Sequence, residues 1–250
     1  SIGQSIEGRD LWMVKISDNV VVDEAEPEVY YDALHHAREP LSLSTTLLFM
    51  DELLDGYGND PEATFLINER ELYFVPCVNP DGYEFNYANN PNGGGLWRKN
   101  RRNNGNGTFG VDLNRNYATF WNAPNGGSSS NTGSETYRGT SPFSEPETAA
   151  VEAFSASRQF VQVFSSHSYT DVLLRPWAYQ AADPSNVAAY NVLGAFNEWY
   201  MKQGVSYRQK LSGNKRFLVY EFNNSISRSI PQVYQRFYLS NNTAYNNSNM

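Results

Sequence analysis

A chain of 250 residues, 40% hydrophobic and 18% charged, can bury one substantial core and reads as a single domain over residues 1–250. Its formal net charge of −8 argues against nucleic-acid backbones and anionic membrane surfaces as partners, since both select clustered Lys and Arg; the run Trp97-Arg98-Lys99-Asn100-Arg101-Arg102 is a local exception. No stretch approaches the roughly eighteen apolar residues of a membrane span. The one cysteine, Cys77, permits no internal disulfide and is expected as a small buried hydrophobe.

No signal peptide is visible, and the chain starts at Ser1 as a processed protein would. Leu11 to Ile16 reads as a short strand, followed by an acidic loop with Asp18, Asp23, Glu24 and Glu26. A second strand runs from Glu28 to Leu34 and ends at the paired His35 and His36. Pro40 suits a first helical position and opens a helix to about Leu54, with Leu41, Thr45 and Leu48 on one face. Asp60-Pro61 starts a second, short helix. Leu72 to Val78 is the clearest central strand, and Asn79-Pro80-Asp81-Gly82 has the residue types of a turn. Residues 87–131 are loop-dominated, and long irregular segments in a compact domain tend to carry function.

Ser144-Glu145-Pro146-Glu147 supplies a cap, an early proline and an acidic first turn, opening a helix to about Arg158. Phe160 to Ser165 is a strand leading to His167, and Val172 to Leu174 is a further candidate. A helix from Ser185 to near Gly204, a strand from Phe217 to Phe222 and a helix from Ile230 to Tyr245 complete the pattern. Strands alternating with helices imply an α/β fold with a largely parallel or mixed sheet.

The three histidines, His35, His36 and His167, all fall at expected strand ends. His36-Ala37-Arg38-Glu39 sets an imidazole and a carboxylate three residues apart, where a tight turn lets both face one ion. His167 could supply a third ligand, and two His with one Glu and an open position is a catalytic zinc arrangement. The open position would hold water that zinc activates near neutrality. The ordinary alternative is three surface or hydrogen-bonded histidines. Candidates to stabilise an oxyanion cluster in 97–102 and 110–117. Glu221, flanked by apolar residues in an expected strand, is the best candidate base; a buried salt bridge or a solvated edge position is its alternative.

These segments have a familiar order. His36-Ala37-Arg38-Glu39, Asn79-Pro80-Asp81-Gly82-Tyr83, Trp97-Arg98-Lys99-Asn100-Arg101, Gly110 to Tyr117, Ser134 to Gly139, Ser144 to Glu147 and Ser166-His167-Ser168-Tyr169 follow one another as in the zinc carboxypeptidase family. Gly3 to Arg9 and Leu34-His35-His36 look most like secreted microbial members resembling carboxypeptidase T. The resemblance implies a single α/β domain whose twisted mixed parallel/antiparallel sheet is flanked by helices. It implies a secreted, monomeric exopeptidase that releases single residues from peptides with a free C-terminus.

By the same resemblance one Zn2+ would sit on His36, Glu39 and His167, with Asp112 accepting a hydrogen bond from His36. Arg101 would polarise the scissile carbonyl, and Asn114 and Arg115 would hold the terminal carboxylate. Arg38 and Tyr169 would line the adjoining subsite, and Glu221 would pass a proton from water to the leaving amine. Arg98 and Arg102 read as solvated surface charge.

The interval from His167 to Glu221 is shorter than the family's. A loop between about 204 and 217 is therefore shortened or missing, and neither a closing tyrosine nor a specificity residue can be assigned. The 18–26 loop could hold a structural Ca2+, with solvation as the alternative. Two further readings keep the fold: a zinc peptidase for bacterial cell-wall peptides, and a non-catalytic binder of peptide C-termini.

Overall fold

The computed structural model describes residues 1–124 and 126–168, together with the isolated positions 174, 185 and 188. The elements expected after Ser168, the 204–217 interval, Tyr169 and Glu221 lie outside the described residues.

Strands β1 (Gly3–Gln4) and β2 (Asp10–Leu11) form a small antiparallel hairpin. The main sheet is built from β3 (Val14–Ile16), β4 (Glu28–Ala33), β5 (Glu71–Val75) and β6 (Phe160–Ser166), in the order β3-β5-β4-β6. β3 runs antiparallel to β5, whereas β5, β4 and β6 are mutually parallel, so the sheet is mixed. A parallel neighbour cannot be reached by a tight turn. Helices α1 (Pro40–Gly56) and α2 (Pro61–Asn68) make the crossover from β4 to β5; α3 (Pro80–Asn89) and α4 (Pro146–Ala156) follow.

Alternation along the strands sends successive residues to opposite faces. Val29, Leu72, Phe74 and Ile16 pack against Leu53 of α1 and Ala63 and Ile67 of α2. Tyr31 adds a stack across three strands, 4.8 Å from Phe74 and 5.2 Å from Phe164. On the other face Tyr30, Tyr73 and Val75 pack with Val151 of α4, Leu113 and Val78. With apolar layers on both sides, β5 is buried along its whole length, as a central parallel strand should be.

Several boundaries depart from expectation for identifiable reasons. The strand expected over Leu11–Ile16 is two strands broken at Trp12-Met13, because the chain leaves the hairpin before joining the sheet. The hairpin's turn is pinned by Asp81, which accepts from Ser5 Oγ, Glu7 N and Arg9 Nη1. β5 stops at Val75 because Pro76 has no N–H for the ladder. Residues 79–82 are the start of a helix and not a turn. Asn79 caps α3, its Oδ1 accepting from Gly82 N at 3.0 Å, and Pro80 takes the first position. The α4 cap position belongs to Glu145, while Ser144 Oγ donates to the Glu145 carboxylate. Cys77 is half-buried, and burial pushes its thiol up to about 12, consistent with an inert role.

Candidate metal centre

The register of β4 and β6 builds the site. Ala33 pairs with Ser166, so Leu34 and His167 leave the sheet side by side at its carboxyl edge. Leu34 then adopts φ 58° while fully buried, a left-handed conformation that costs a leucine about 1–2 kcal/mol. It is held there by Leu34 N donating to Ser42 Oγ and by Asn79 N donating to Leu34 O. The turn sends His35 and His36 to different neighbours. Glu39 N donates to His36 O, closing a tight turn, and Glu39 occupies the cap position of α1 without spending its side chain on the helix. Its carboxylate is left facing the histidines.

Three donors converge. His36 Nδ1 lies 2.8 Å from Glu39 Oε1, His167 Nδ1 lies 2.9 Å from Glu39 Oε2, and the two ring nitrogens are 3.2 Å apart. Two lone-pair nitrogens and a carboxylate aimed at one point repel unless a cation lies among them, and this donor set suits zinc. His36 Nε2 meets Asp112 Oδ1 at 3.1 Å, which fixes the nitrogen that faces inward. Burial works to lower the His36 ring, but hydrogen bonds to Asp112 and Glu39 outweigh it and the ring is raised. Burial likewise works to raise Glu39, but hydrogen bonds from His167 and His36 hold it at about 2. Both shifts describe a field that favours positive charge at the centre.

Among the described residues, Arg98 is the arginine within ion-pair distance of this cluster. It is only 13% exposed, with Nη1 3.7 Å from Glu39 Oε1 and Nη2 3.0 Å from Asp112 Oδ2. Its carbonyl accepts from Ala37 N, which lays the 97–100 segment along the ligand loop. Arg101 is not brought to the cluster: its guanidinium lies over the rings of Phe85, Trp97 and Phe109, at 3.8, 4.6 and 5.1 Å. Arg102 is no solvated charge either, since it pairs with the buried Glu145 at 2.6 Å. Residue types alone do not show which arginine of this segment lies near the ligands, because Phe85, which takes Arg101, is on α3 where a turn was expected.

Asn114 and Arg115 lie on a single 3-10 turn, Leu113–Arg115, capped by Asp112. Asn114 Nδ2 is 3.3 Å from His167 Nε2, so this turn abuts the metal centre. Arg115 is steadied by two carbonyls, Gly127 O and Asn114 O, and has no carboxylate within ion-pair distance among the described residues. Arg38 reaches Glu135 at 3.3 Å on the rim. Two other carboxylate groups occur among the described residues. Asp23, Glu28 and Glu71 already surround Arg158, whereas Asp18, Glu24 and Glu26 lie within 4.8 Å of one another.

The sequence profile of the zinc carboxypeptidase family matches residues 1–247. Mouse carboxypeptidase A2 is 36% identical over 188 residues, 74% of this chain and 43% of that protein. A zinc carboxypeptidase of Saccharothrix mutabilis subsp. capreolus is 44% identical over 121 residues, 48% of this chain and 27% of that protein. The crystal structure of carboxypeptidase A from Helicoverpa armigera superposes with a TM-score of 0.72 at 30% identity, covering 81% of this chain and 48% of that one. The chain spans about half or less of the length of the curated relatives it matches.

Proposed function

The chain belongs to the zinc carboxypeptidase family, and we propose that it hydrolyses the C-terminal peptide bond of peptides and proteins, releasing single amino acids. The observation that carries this reading is the convergence of His36, Glu39 and His167 on one point, with Arg98 and the Leu113–Arg115 turn beside it. Zinc, when bound there, polarises a carbonyl and lowers the pKa of water toward neutrality.

The chain's own residues supply the rest. Asp112 holds the His36 ring and, through its other oxygen, the Arg98 guanidinium. Arg98 stabilises the charge that develops on the scissile oxygen, the role expected of Arg101. Arg115, with Asn114, clamps the terminal carboxylate, and a fixed clamp presents the last peptide bond to the metal. The adjoining subsite falls to Arg38 and Tyr169 in this proposal. Glu221 takes the proton from water and returns it to the leaving amine.

The test is mass spectrometry of zinc-loaded protein with peptides that differ only in the last residue, each as free acid and as C-terminal amide. Stepwise loss of single residues from the acids alone is expected. Inert acids would sink the reading, and turnover of cell-wall peptides instead would redirect it.

We further propose a secreted, monomeric protein whose catalytic domain covers residues 1–250, with a shortened 204–217 loop and no nucleic-acid partner; the −8 net charge supports the last point. Among the described residues no helix is long and apolar enough to cross a membrane. A likeness to secreted microbial members resembling carboxypeptidase T is part of the same proposal. We also propose a structural Ca2+ in the 18–26 loop, where Asp18, Glu24 and Glu26 lie together and Glu24 Oε2 and Glu26 Oε2 have no hydrogen-bond partner among the described residues. Calcium should raise the Tm of zinc-loaded protein and not that of Glu24→Gln; equal responses would remove the site.

A further inference from the structure

Two adjacent histidines reach the two ends of one loop. His36 Nε2 meets Asp112 Oδ1 at 3.1 Å, and His35 Nε2 meets the Tyr117 hydroxyl at 2.6 Å. Between Asp112 and Tyr117 lies the turn that carries Asn114 and Arg115. The ligand loop and the turn are thus pinned to each other at two points, and both pins spring from one dipeptide at the end of β4.

His35 is not part of the converging donor set. Its ring is 2% exposed, and behind it Nδ1 stands 3.6 Å from Asp32 Oδ1. Among the described residues, neither of those two atoms has a hydrogen-bond partner. Leaving such groups unpaired in the interior is unfavourable, so a hydrocarbon side chain would serve packing better at this position. What the imidazole gains is a directed contact. With the Tyr117 hydroxyl donating to Nε2, the Nδ1–H faces Asp32, and a chain of polar groups runs from the sheet to the turn.

We infer that His35 and Tyr117 are positioning residues that fix the distance between the metal ligands and the Asn114–Arg115 turn, and so set the one-residue register of hydrolysis. This rests on the carboxypeptidase reading, which makes that distance matter. A shift of about 1 Å in a bound substrate can cost on the order of 100-fold in rate. The loop keeps its base without the tyrosine hydroxyl, because Asn116 bonds to Arg138 O, Ser141 O and Ser144 Oγ and accepts from Thr148. Tyr117→Phe therefore loosens the clamp without removing the fold.

The decisive quantity is the ratio of kcat/KM for a free-acid peptide to that for its C-terminal amide, which the fraction of active protein cannot change. In Tyr117→Phe and His35→Phe the ratio should fall by about tenfold or more. The fall should appear in kcat more than in KM, with bound zinc per chain as in the parent. Ratios equal to the parent's, in variants that retain zinc, would overturn the clamp while leaving the carboxypeptidase reading intact. A parent that neither cleaves the acid nor binds an N-acetyl amino acid more tightly than its amide would defeat that reading, and the clamp with it. Should His35→Phe not fold, Tyr117→Phe alone decides.

Discussion

Four basic side chains within five positions end in four different environments. Arg98 lies against Asp112 and Glu39, Lys99 donates to Thr132 O, Arg101 sits among three aromatic rings, and Arg102 pairs with Glu145. Their residue types point to an oxyanion partner in this segment, and the proposal gives that role to Arg98. The choice among them was not legible, because side-chain direction in an irregular segment is set by what packs beneath it, here Phe85 and Trp97. Arg98→Ala should lower kcat by about 100-fold or more, the usual loss for one oxyanion donor. Arg101→Ala should leave kcat within about threefold and lower stability by about 1 kcal/mol through lost cation–π contact. Steady-state kinetics and urea unfolding on both variants check this, and the reverse pattern would restore the catalytic role to Arg101. The ligand trio needed no such context, since strand ends and the three-residue spacing of His36 and Glu39 already confined them.

At the scale of elements, β4, β5, β6, α1, α2 and α4 were legible from periodicity and from the Pro and Asp at helix starts. α3 was not, because Asn-Pro-Asp-Gly is as good a turn as it is a cap and first turn. What decides between them is tertiary: Asn79 also donates through Nδ2 to His35 O, and Asp81 is occupied with the N-terminal hairpin. The break between β2 and β3 was hidden for the same reason, since the Asp81 clamp is remote in sequence. Gly82 shows how tightly α3 meets the metal loop. A Cβ there would lie 2.6 Å from Lys99 O and 2.7 Å from Ala37 Cβ. Gly82→Ala must push the His36–Glu39 turn aside, so zinc affinity measured against a competing chelator should fall by about tenfold or more. Unchanged affinity would mean that the loop yields without moving its ligands.

For the molecule as a whole, one source of pH response among the described residues lies in the buried Glu147. Glu147 is fully buried at the start of α4 and accepts from Ile6 N and Asn100 Nδ2, so it ties the N-terminal segment to the 97–102 segment. Burial pushes it up to about 7; the hydrogen bonds oppose this, and the neighbouring Glu145, itself paired with Arg102, adds to it. In the unfolded chain the same carboxyl titrates near 4.5. Between those values the folded state binds more protons than the unfolded one, so stability falls as pH rises. The contribution is complete below about 4.5 and lost once pH passes about 7, falling by at most roughly 1.4 kcal/mol for each pH step of one across that window. Zinc binding works the other way, because its ligands must lose protons. The two are separated by comparing parent with Glu147→Gln at equal zinc saturation. The variant should gain stability relative to the parent as pH is raised from about 5 to about 8 in urea unfolding. Parallel curves for the two proteins would show that Glu147 ionises in the folded state as readily as in the unfolded chain, with Ile6 N and Asn100 offsetting its burial in full.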